Sequence, residues 1–356
     1  MKRNLFCFVL IIFIVGCAPV YQIPTRTSKL KGIPTIKISL GRFDKIEIKG
    51  NNISVKNDNA TAKGNSLEIT TSSIQLDGRA LNKIQTPFEV TSDKGILEFN
   101  SKKFRGNLLI YNKQSNFLVV NKVDMESYLK GVVPCELKTT EMEALKAQII
   151  ASRSFALHLI KPGTECYDLT SGVEAQVYKG IEAEVDFIDK AIEETQGIVC
   201  TYNGETVGTQ YSSNCGGRTA NGKAPYLKST PCQFCKSYPN YRWECSFPRA
   251  SFFEKLGVKG NSFSITKRDK SGRVVELQIP DADCILKGDQ VRAKLGLKST
   301  FLEIKDAGDK ITISGKGYGH GIGLCQYGAV GMSKQGFDYK SILKHYYSGI
   351  KIEKIY

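Results

Sequence analysis

The sequence has few histidines and no excess of glycine or proline, and each of these facts excludes a class of protein. It contains three His and no HExxH pattern, so a zinc hydrolase of that type is not predicted. Gly (33) and Pro (11) are close to average usage over 356 residues, which excludes collagen and low-complexity polymers. Hydrophobic residues make up 41% of the chain, enough for one large or two moderate cores. A globular protein is therefore predicted.

The charge of the chain is positive but not clustered. Lys and Arg number 50 against 35 Asp and Glu, giving a net charge of +15, or +13 without Lys2 and Arg3. This excess favours acidic partners, and a solubilising basic surface is the alternative. No long Lys/Arg run occurs, and no nucleic-acid partner is predicted.

Long apolar runs are confined to residues 5–15, which are too few to cross a membrane as a helix of ~20 residues. Behind Lys2 and Arg3, this run is typical of a signal peptide. Gly16-Cys17 then resembles the lipobox of bacterial lipoproteins, in which the cysteine thiol is acylated. The predicted order is signal peptide 1–16, lipid-anchored tether 17–34 and an exported domain. Ordinary signal cleavage, with Cys17 incidental, is the alternative.

The number of cysteines does not fit a simple disulfide framework. Of 11 Cys, nine remain without Cys7 and Cys17, and nine cannot all pair. The candidate cluster consists of Cys215, Cys232, Cys235 and Cys245. Disulfides and a four-cysteine zinc site both remain open. A structural role is favoured over a redox motif, because prolines and polar loop residues surround the Cys-x-x-Cys pair.

Periodicity divides the exported part in two. Residues 35–120 alternate apolar and polar side chains, which predicts a β-rich N-terminal domain. Residues 121–356 form the second domain, with a stretch at about 249–315 interpreted as an inserted small α/β subdomain. The predicted class is α+β, with a helical central core and β-hairpins.

The central helices have local signals. A short helix is predicted through Tyr128, followed by a loop that carries residues 132–136. Thr140 and Glu143 have the spacing of a capping box that opens a long second helix. A third helix ends at Gly197, and Asn203-Gly204 is the turn of a hairpin that extends to Tyr211.

Glu136 is the strongest candidate acid. It follows Val132, Val133 and Pro134, and an apolar setting can keep a carboxyl group protonated near neutral pH. A solvated or helix-capping glutamate is the alternative. His320 lies in a glycine-rich segment that permits close approach of a ligand, or forms only a turn. Cys215 as a nucleophile is disfavoured, since no general base is indicated beside it.

Eight ordered strings together resemble the stage II sporulation protein D family. They are residues 104–108 (FRGNL), 121–136 (NKVDMESYLKGVVPCE), 143–148 (EALKAQ), 151–154 (ASRS), 176–178 (QVY), 211–217 (YSSNCGG), 241–243 (YRW) and 319–329 (GHGIGLCQYGA). The resemblance implies a lytic transglycosylase that cuts peptidoglycan glycan strands with one glutamate, which matches Glu136. The other role in the family is that of an amidase enhancer, which binds glycan and stimulates a peptidoglycan amidase.

Substrate contacts are predicted for the cleft around Glu136. The residues expected to hold the N-acetyl and lactyl groups are Gln148, Arg153, Tyr211, Ser212, Ser213, His320 and Gln326. The alternative is that Arg153 pairs internally and that the Gly-His-Gly segment is a tight turn. A membrane anchor at Cys17 would place the domain beside the cell wall, at the outer membrane of a bacterium with two membranes, because Ala18 gives no Asp retention signal.

Some family members bind zinc through a His and two Cys upstream of the Gln-Val-Tyr string. Here that stretch offers only Cys166, and Glu174-Ala175 stand where the His-Cys pair is expected. No metal ligand is predicted there, and no cofactor is predicted.

Overall fold

The computed structural model describes residues 30–160, 166–172 and 175–356. The predicted signal peptide, Cys17 and most of the predicted tether lie outside these ranges. Within them, no helix is both long and apolar enough to span a bilayer.

Residues 35–124 form a β-rich unit, as the period-two pattern predicts. Its strands, with one added from later in the chain, are β1 (Thr35–Phe43), β2 (Lys45–Lys56), β3 (Thr61–Thr70), β4 (Ile74–Leu76), β5 (Arg79–Ala80), β6 (Phe88–Ser92), β7 (Ile96–Phe99), β8 (Lys102–Arg105), β9 (Asn107–Lys113), β10 (Asn116–Asp124) and β11 (Leu169–Thr170). They pair in the order β11-β1-β10-β9-β6-β2-β3-β4-β5, with β7 on β2 and β8 on β7. All these pairings are antiparallel except that of β11 with β1.

The rest of the described chain mixes helices with short strands. The helices are α1 (Met125–Glu136), α2 (Met142–Leu159), α3 (Asp186–Glu194), α4 (Arg249–Leu256), α5 (Gly288–Leu295), α6 (Gln326–Lys334) and α7 (Tyr339–Tyr346). The strands are β12 (Ile198–Tyr202), β13 (Glu205–Thr206), β14 (Tyr211–Ser212), β15 (Arg242–Pro248), β16 (Ser264–Arg268), β17 (Val274–Ile279), β18 (Cys284–Lys287), β19 (Leu302–Asp306), β20 (Lys310–Lys316), β21 (Leu324–Cys325) and β22 (Lys351–Lys354). The fold is α+β, as predicted.

Helix α2 lies at the centre because it is apolar on two sides. Leu145 and Ile149 belong to the core that the N-terminal sheet shares with α1 and α3. Ala147 and Ile150 belong to a second core, which contains α6 and α7. A helix that is buried nearly all round joins the two cores and fixes their relative position.

Two local predictions about the helices are wrong. The residues assigned to a loop after Tyr128 belong to α1, which ends at Glu136. The helix continues through Pro134 because Val132 and Val133 are fully buried against the first core. The capping box does not form. Helix α2 begins at Met142 without a side-chain cap, and the carboxylate of Glu143 instead accepts the backbone N–H of Tyr339 at 2.8 Å.

The predicted hairpin forms but is shorter than expected. Asn203 and Gly204 have φ of 53° and 85°, as a tight turn between β12 and β13 requires. The run stops at Thr206. Strand β14, which begins at Tyr211, pairs in parallel with β21 instead.

A third core occupies the stretch interpreted as a subdomain together with the strand that precedes it. It contains apolar residues of two three-stranded sheets, β15-β20-β19 and β16-β17-β18. Among them are Trp243 of β15 and Ile313 of β20, and Phe252 of α4 packs with them. Strand β15, which precedes this stretch, pairs with β20 along its whole length.

Candidate active site

Glu136 is placed by the end of α1. Its side chain is half-buried, and its Oε1 accepts the backbone N–H of Val177 at 3.0 Å. Desolvation raises the pKa of Glu136, and the hydrogen bond from Val177 only partly opposes this. The negative end of the helix dipole also disfavours a charged carboxylate at this position. The geometry thus suits a carboxyl group that stays protonated above its ordinary range.

Two of the predicted glutamines lie beside Glu136. The amide of Gln326, the first residue of α6, donates to the backbone carbonyl of Glu136 at 3.0 Å and to Oε1 of Gln148 at 3.4 Å. Gln148 in turn donates to Oγ of Ser152 at 3.0 Å. Both glutamines are buried, so these bonds hold α1, α2 and α6 together around the carboxyl group.

Tyr211 is held by a buried relay. Gln176 donates to the Tyr211 hydroxyl at 2.8 Å and accepts the Tyr128 hydroxyl at 3.0 Å. Burial raises the pKa of Tyr211, and the neighbouring charge of Glu136 raises it further. The Tyr211 hydroxyl therefore stays protonated and lies within electrostatic reach of Glu136.

The β14–β21 pair brings the remaining predicted residues close to one another. Ser212 is buried, and its Oγ has no hydrogen-bond partner among the described residues. The carbonyl of Ser213 accepts the N–H of Tyr327 at 3.0 Å. His320 is exposed, and its Nδ1 accepts the N–H of Ile322 at 3.0 Å.

The His320 ring also contacts strand β14. Desolvation of the ring lowers the pKa of His320, while a hydrogen bond to the Tyr211 backbone raises it. His320 therefore lies beside Tyr211.

Arg153 does not line this region. It is fully buried, and its guanidinium donates to the two carboxylate oxygens of Glu126 at 3.0 and 2.6 Å and to the carbonyl of Ile198 at 3.0 Å. The substrate-binding role expected of Arg153 is incompatible with this burial. The internal pairing that was its alternative is what the structure contains.

Sequence reasoning missed two contributors. Gln176 is buried and orients Tyr211, while Val177 supplies its backbone N–H to Glu136. Both belong to the Gln-Val-Tyr string, whose order in the chain was noted without a role. The string itself was a signal that these residues matter, but the hydrogen bond of Val177 to Glu136, 41 positions away, could not be predicted from the sequence.

A groove of about 590 Å³ runs past the C-terminal end of α1. Pro134, Cys135 and Val177 line one side, and Val185 and Phe187, both partly exposed, line another. Charged residues also line it, namely the exposed Lys138 and Lys179 and the acidic Glu182. The groove offers apolar surface and charges of both signs, and it passes the neighbours of Glu136 in the chain and in space, Cys135 and Val177.

The cysteine cluster differs in one member from the predicted set. Cys215, Cys232, Cys235 and Cys325 are buried together, with all sulfur atoms within 4.8 Å of one another. Cys245 is half-buried on β15 and does not join them, because closeness in the sequence to Cys235 does not bring β15 to the cluster. The fourth thiol comes from the glycine-rich segment instead.

Comparison with known proteins adds the following. A family model described as Stage II sporulation protein matches residues 113–202, and one described as a domain of unknown function matches residues 236–323. Stage II sporulation protein D of Bacillus subtilis is 33% identical over 261 residues, which cover 66% of this chain and 76% of that protein. An uncharacterized protein of Brachyspira hyodysenteriae is 31% identical, covering 71% and 73%. The amidase enhancer of Bacillus subtilis is 29% identical, covering 62% of this chain and 39% of its own length.

Proposed function

Because the chain belongs to the stage II sporulation protein D family, we propose that it cleaves the glycan strands of peptidoglycan as a lytic transglycosylase, with Glu136 as its one catalytic carboxyl group. The observation that carries this proposal is the environment of Glu136. Its carboxyl is oriented by one backbone donor, and desolvation rather than a charged neighbour raises its pKa. That is the condition a general acid needs near neutral pH.

One carboxyl group suffices if the sugar supplies its own nucleophile. Protonated Glu136 gives its proton to the glycosidic oxygen as the bond from that oxygen to C1 of the muramyl residue breaks. The charge that develops on the sugar is that of an oxocarbenium ion. The muramyl 6-hydroxyl oxygen then bonds to C1, and its proton returns to the Glu136 carboxylate. No water is consumed, and the product ends in a 1,6-anhydromuramyl residue.

The surroundings of Glu136 support a carbohydrate ligand. Tyr211 presents its hydroxyl within electrostatic reach of the Glu136 carboxyl, and the His320 ring lies against the Tyr211 backbone. Lys138 and Lys179 would favour the carboxylates of muramyl lactyl groups and stem peptides.

The second candidate function is enhancement of a peptidoglycan amidase, and the observation that favours it is the similarity to the Bacillus subtilis amidase enhancer. That similarity spans only about two fifths of the enhancer, so it bears on the shared domain. An enhancer would use the same cleft to bind glycan without chemistry at Glu136.

Glu136→Gln separates the two functions, since it keeps the shape of the side chain and removes the proton donor. Exposed Glu193 on α3 provides the matched control, Glu193→Gln. A transglycosylase loses about 10²–10⁴-fold in cleavage rate of purified glycan on Glu136→Gln and nothing on Glu193→Gln. Full cleavage by Glu136→Gln would contradict the mechanism. A wild-type chain that never cleaves but raises amidase turnover would establish the enhancer function.

We also propose that the chain is an exported lipoprotein, anchored through acylated Cys17 and facing the cell wall. The support is the short apolar run followed by Gly16-Cys17. Cys17→Ser should move the protein from the membrane fraction to the soluble fraction. An unchanged membrane association would refute this anchor.

A further inference from the structure

Four thiols meet inside the second core. Cys215 follows β14, Cys232 and Cys235 flank a turn, and Cys325 ends β21. At most 1% of any of these side chains is exposed. Three separate segments of the chain thus deliver four sulfur atoms to one point that solvent does not reach.

The spacing of the sulfurs is that of metal ligands. Four thiolates around a zinc ion at ~2.3 Å lie roughly 3.8 Å from one another. The sulfurs of Cys215 and Cys235 are 3.6 Å apart, and no pair within the cluster exceeds 4.8 Å. A disulfide would need about 2.05 Å, so pairing would require these side chains to move together.

Hydrogen-bond donors surround the cysteine sulfur atoms. The backbone N–H groups of Cys215 and Gly328 lie 3.2 and 3.3 Å from Sγ of Cys325, and the Tyr346 hydroxyl lies 3.1 Å from Sγ of Cys232. A Cβ at position 328 would lie 2.8 Å from Sγ of Cys232, so a glycine is needed for α6 to start this close. Such donors stabilise thiolates and tune a bound metal.

A buried cation stands beside the cluster. Arg273 is 3% exposed, and its guanidinium donates to the carbonyl of Cys215 at 2.8 Å and to that of Arg218 at 3.1 Å. Its Nε has no partner among the described residues. A zinc ion with four thiolates carries two negative charges, which Arg273 and the N-terminal end of α6 offset in part.

We propose that Cys215, Cys232, Cys235 and Cys325 bind one zinc ion as a closed, four-thiolate structural site. Four sulfur ligands in tetrahedral reach are typical of structural zinc, with iron as the other metal that such a set binds, and four protein ligands leave no position for a substrate. The site is therefore structural rather than catalytic. The inference does not depend on the chemistry proposed for Glu136.

The zinc would hold in place the segments that contact Glu136. Cys325 immediately precedes Gln326, which bonds to Glu136, and Cys215 follows the β14 residues that pair with β21. Binding one ion ties these segments to the turn that carries Cys232 and Cys235. Loss of the ion would release these segments and lower stability, since binding free energy of a structural metal is folding free energy.

Metal analysis of the full chain, purified without chelator, tests the proposal directly. We expect about one zinc per chain, the number a single tetrahedral site holds. Cys325→Ser should lower the bound zinc by about tenfold or more, because second-sphere changes alone cost 10- to 100-fold. Cys245→Ser, half-buried on β15 and outside the cluster, is the matched control and should keep its zinc.

A second measurement on the wild-type chain covers the case in which Cys325→Ser fails to fold. The protein is unfolded in chelator without reductant, alkylated, and mapped by mass spectrometry. Under the proposal, all four cluster cysteines are alkylated and zinc is recovered in the chelate. Cluster cysteines that become reactive only after reduction would show disulfides and overturn it. Full alkylation with no zinc recovered, or with iron in its place, would overturn it as well.

Discussion

The backbone N–H of Val177 and the carboxyl of Glu136 are joined by a 3.0 Å hydrogen bond across 41 positions of the chain. The bond goes to Oε1, and no donor among the described residues bonds to Oε2. One oxygen is thus fixed by the protein, and the other is available to carry the acidic proton. This asymmetry is what the proposed proton transfer requires.

The rate of glycan cleavage should depend on pH through Glu136. Desolvation raises the pKa of Glu136 above its ordinary value of 4.5. Because the reaction starts from the protonated acid, kcat/KM should stay level below the raised pKa and fall about tenfold per pH unit above it. Initial rates across the pH range check this. A basic limb at or below 4.5 would contradict the raised pKa.

The same shift predicts a stability difference between the wild type and Glu136→Gln. A carboxyl group whose folded-state pKa is raised binds more protons when folded, so its stabilising effect is lost as pH rises from the unfolded to the folded pKa. The Tm of Glu136→Gln minus that of the wild type should therefore increase across this window. Thermal unfolding at several pH values measures it, and a difference that decreases with pH would refute the assignment.

Arg153 should matter for stability rather than for substrate. Arg153→Ala leaves the carboxylate of Glu126 buried without its partner, which typically costs about 3–5 kcal/mol of unfolding free energy. The exposed pair of Lys45 and Glu68 is the comparison, and Lys45→Ala should cost less than about 1 kcal/mol. Denaturant unfolding measures both. Unchanged stability together with weakened glycan binding would restore the substrate role.

Gln176 should act as a positioning residue through Tyr211. Gln176→Leu leaves the hydroxyl of Tyr128 unpaired and removes one partner of the Tyr211 hydroxyl, and an unmet buried group costs about 1–3 kcal/mol. In a double-mutant cycle, Gln176→Leu and Tyr211→Phe should couple by about 0.5–3 kcal/mol in unfolding free energy. Gln176→Glu, which keeps an acceptor for Tyr128, should recover part of the loss. Strictly additive effects would show that the relay does not function as a unit.

Much of the architecture was predictable from local pattern. Alternation at Ile36 and Ile38 predicts strands whose apolar side faces a core, and Asn203-Gly204 predicts a turn that demands positive φ. The half-buried setting of Glu136 was predictable from its apolar flank. These signals are readable because each depends on neighbours in the sequence.

What could not be predicted depends on partners distant in the chain. Cys245 is ten positions from Cys235, yet Cys325 completes the cluster because β21 pairs with β14. Arg153 is a residue type that often binds carboxylate groups of substrates, but only the folded chain shows that its guanidinium is paired with Glu126. Burial and pairing at long range decide both cases.

The central claim is most directly tested by the chemical form of the new glycan ends. Purified strands are digested with the wild-type chain, and the fragments are weighed by mass spectrometry beside a Glu136→Gln digest. The account predicts 1,6-anhydromuramyl ends, each one water lighter than a hydrolysed end, in the wild-type digest alone. Fragments that carry added water and lack anhydro ends would contradict it.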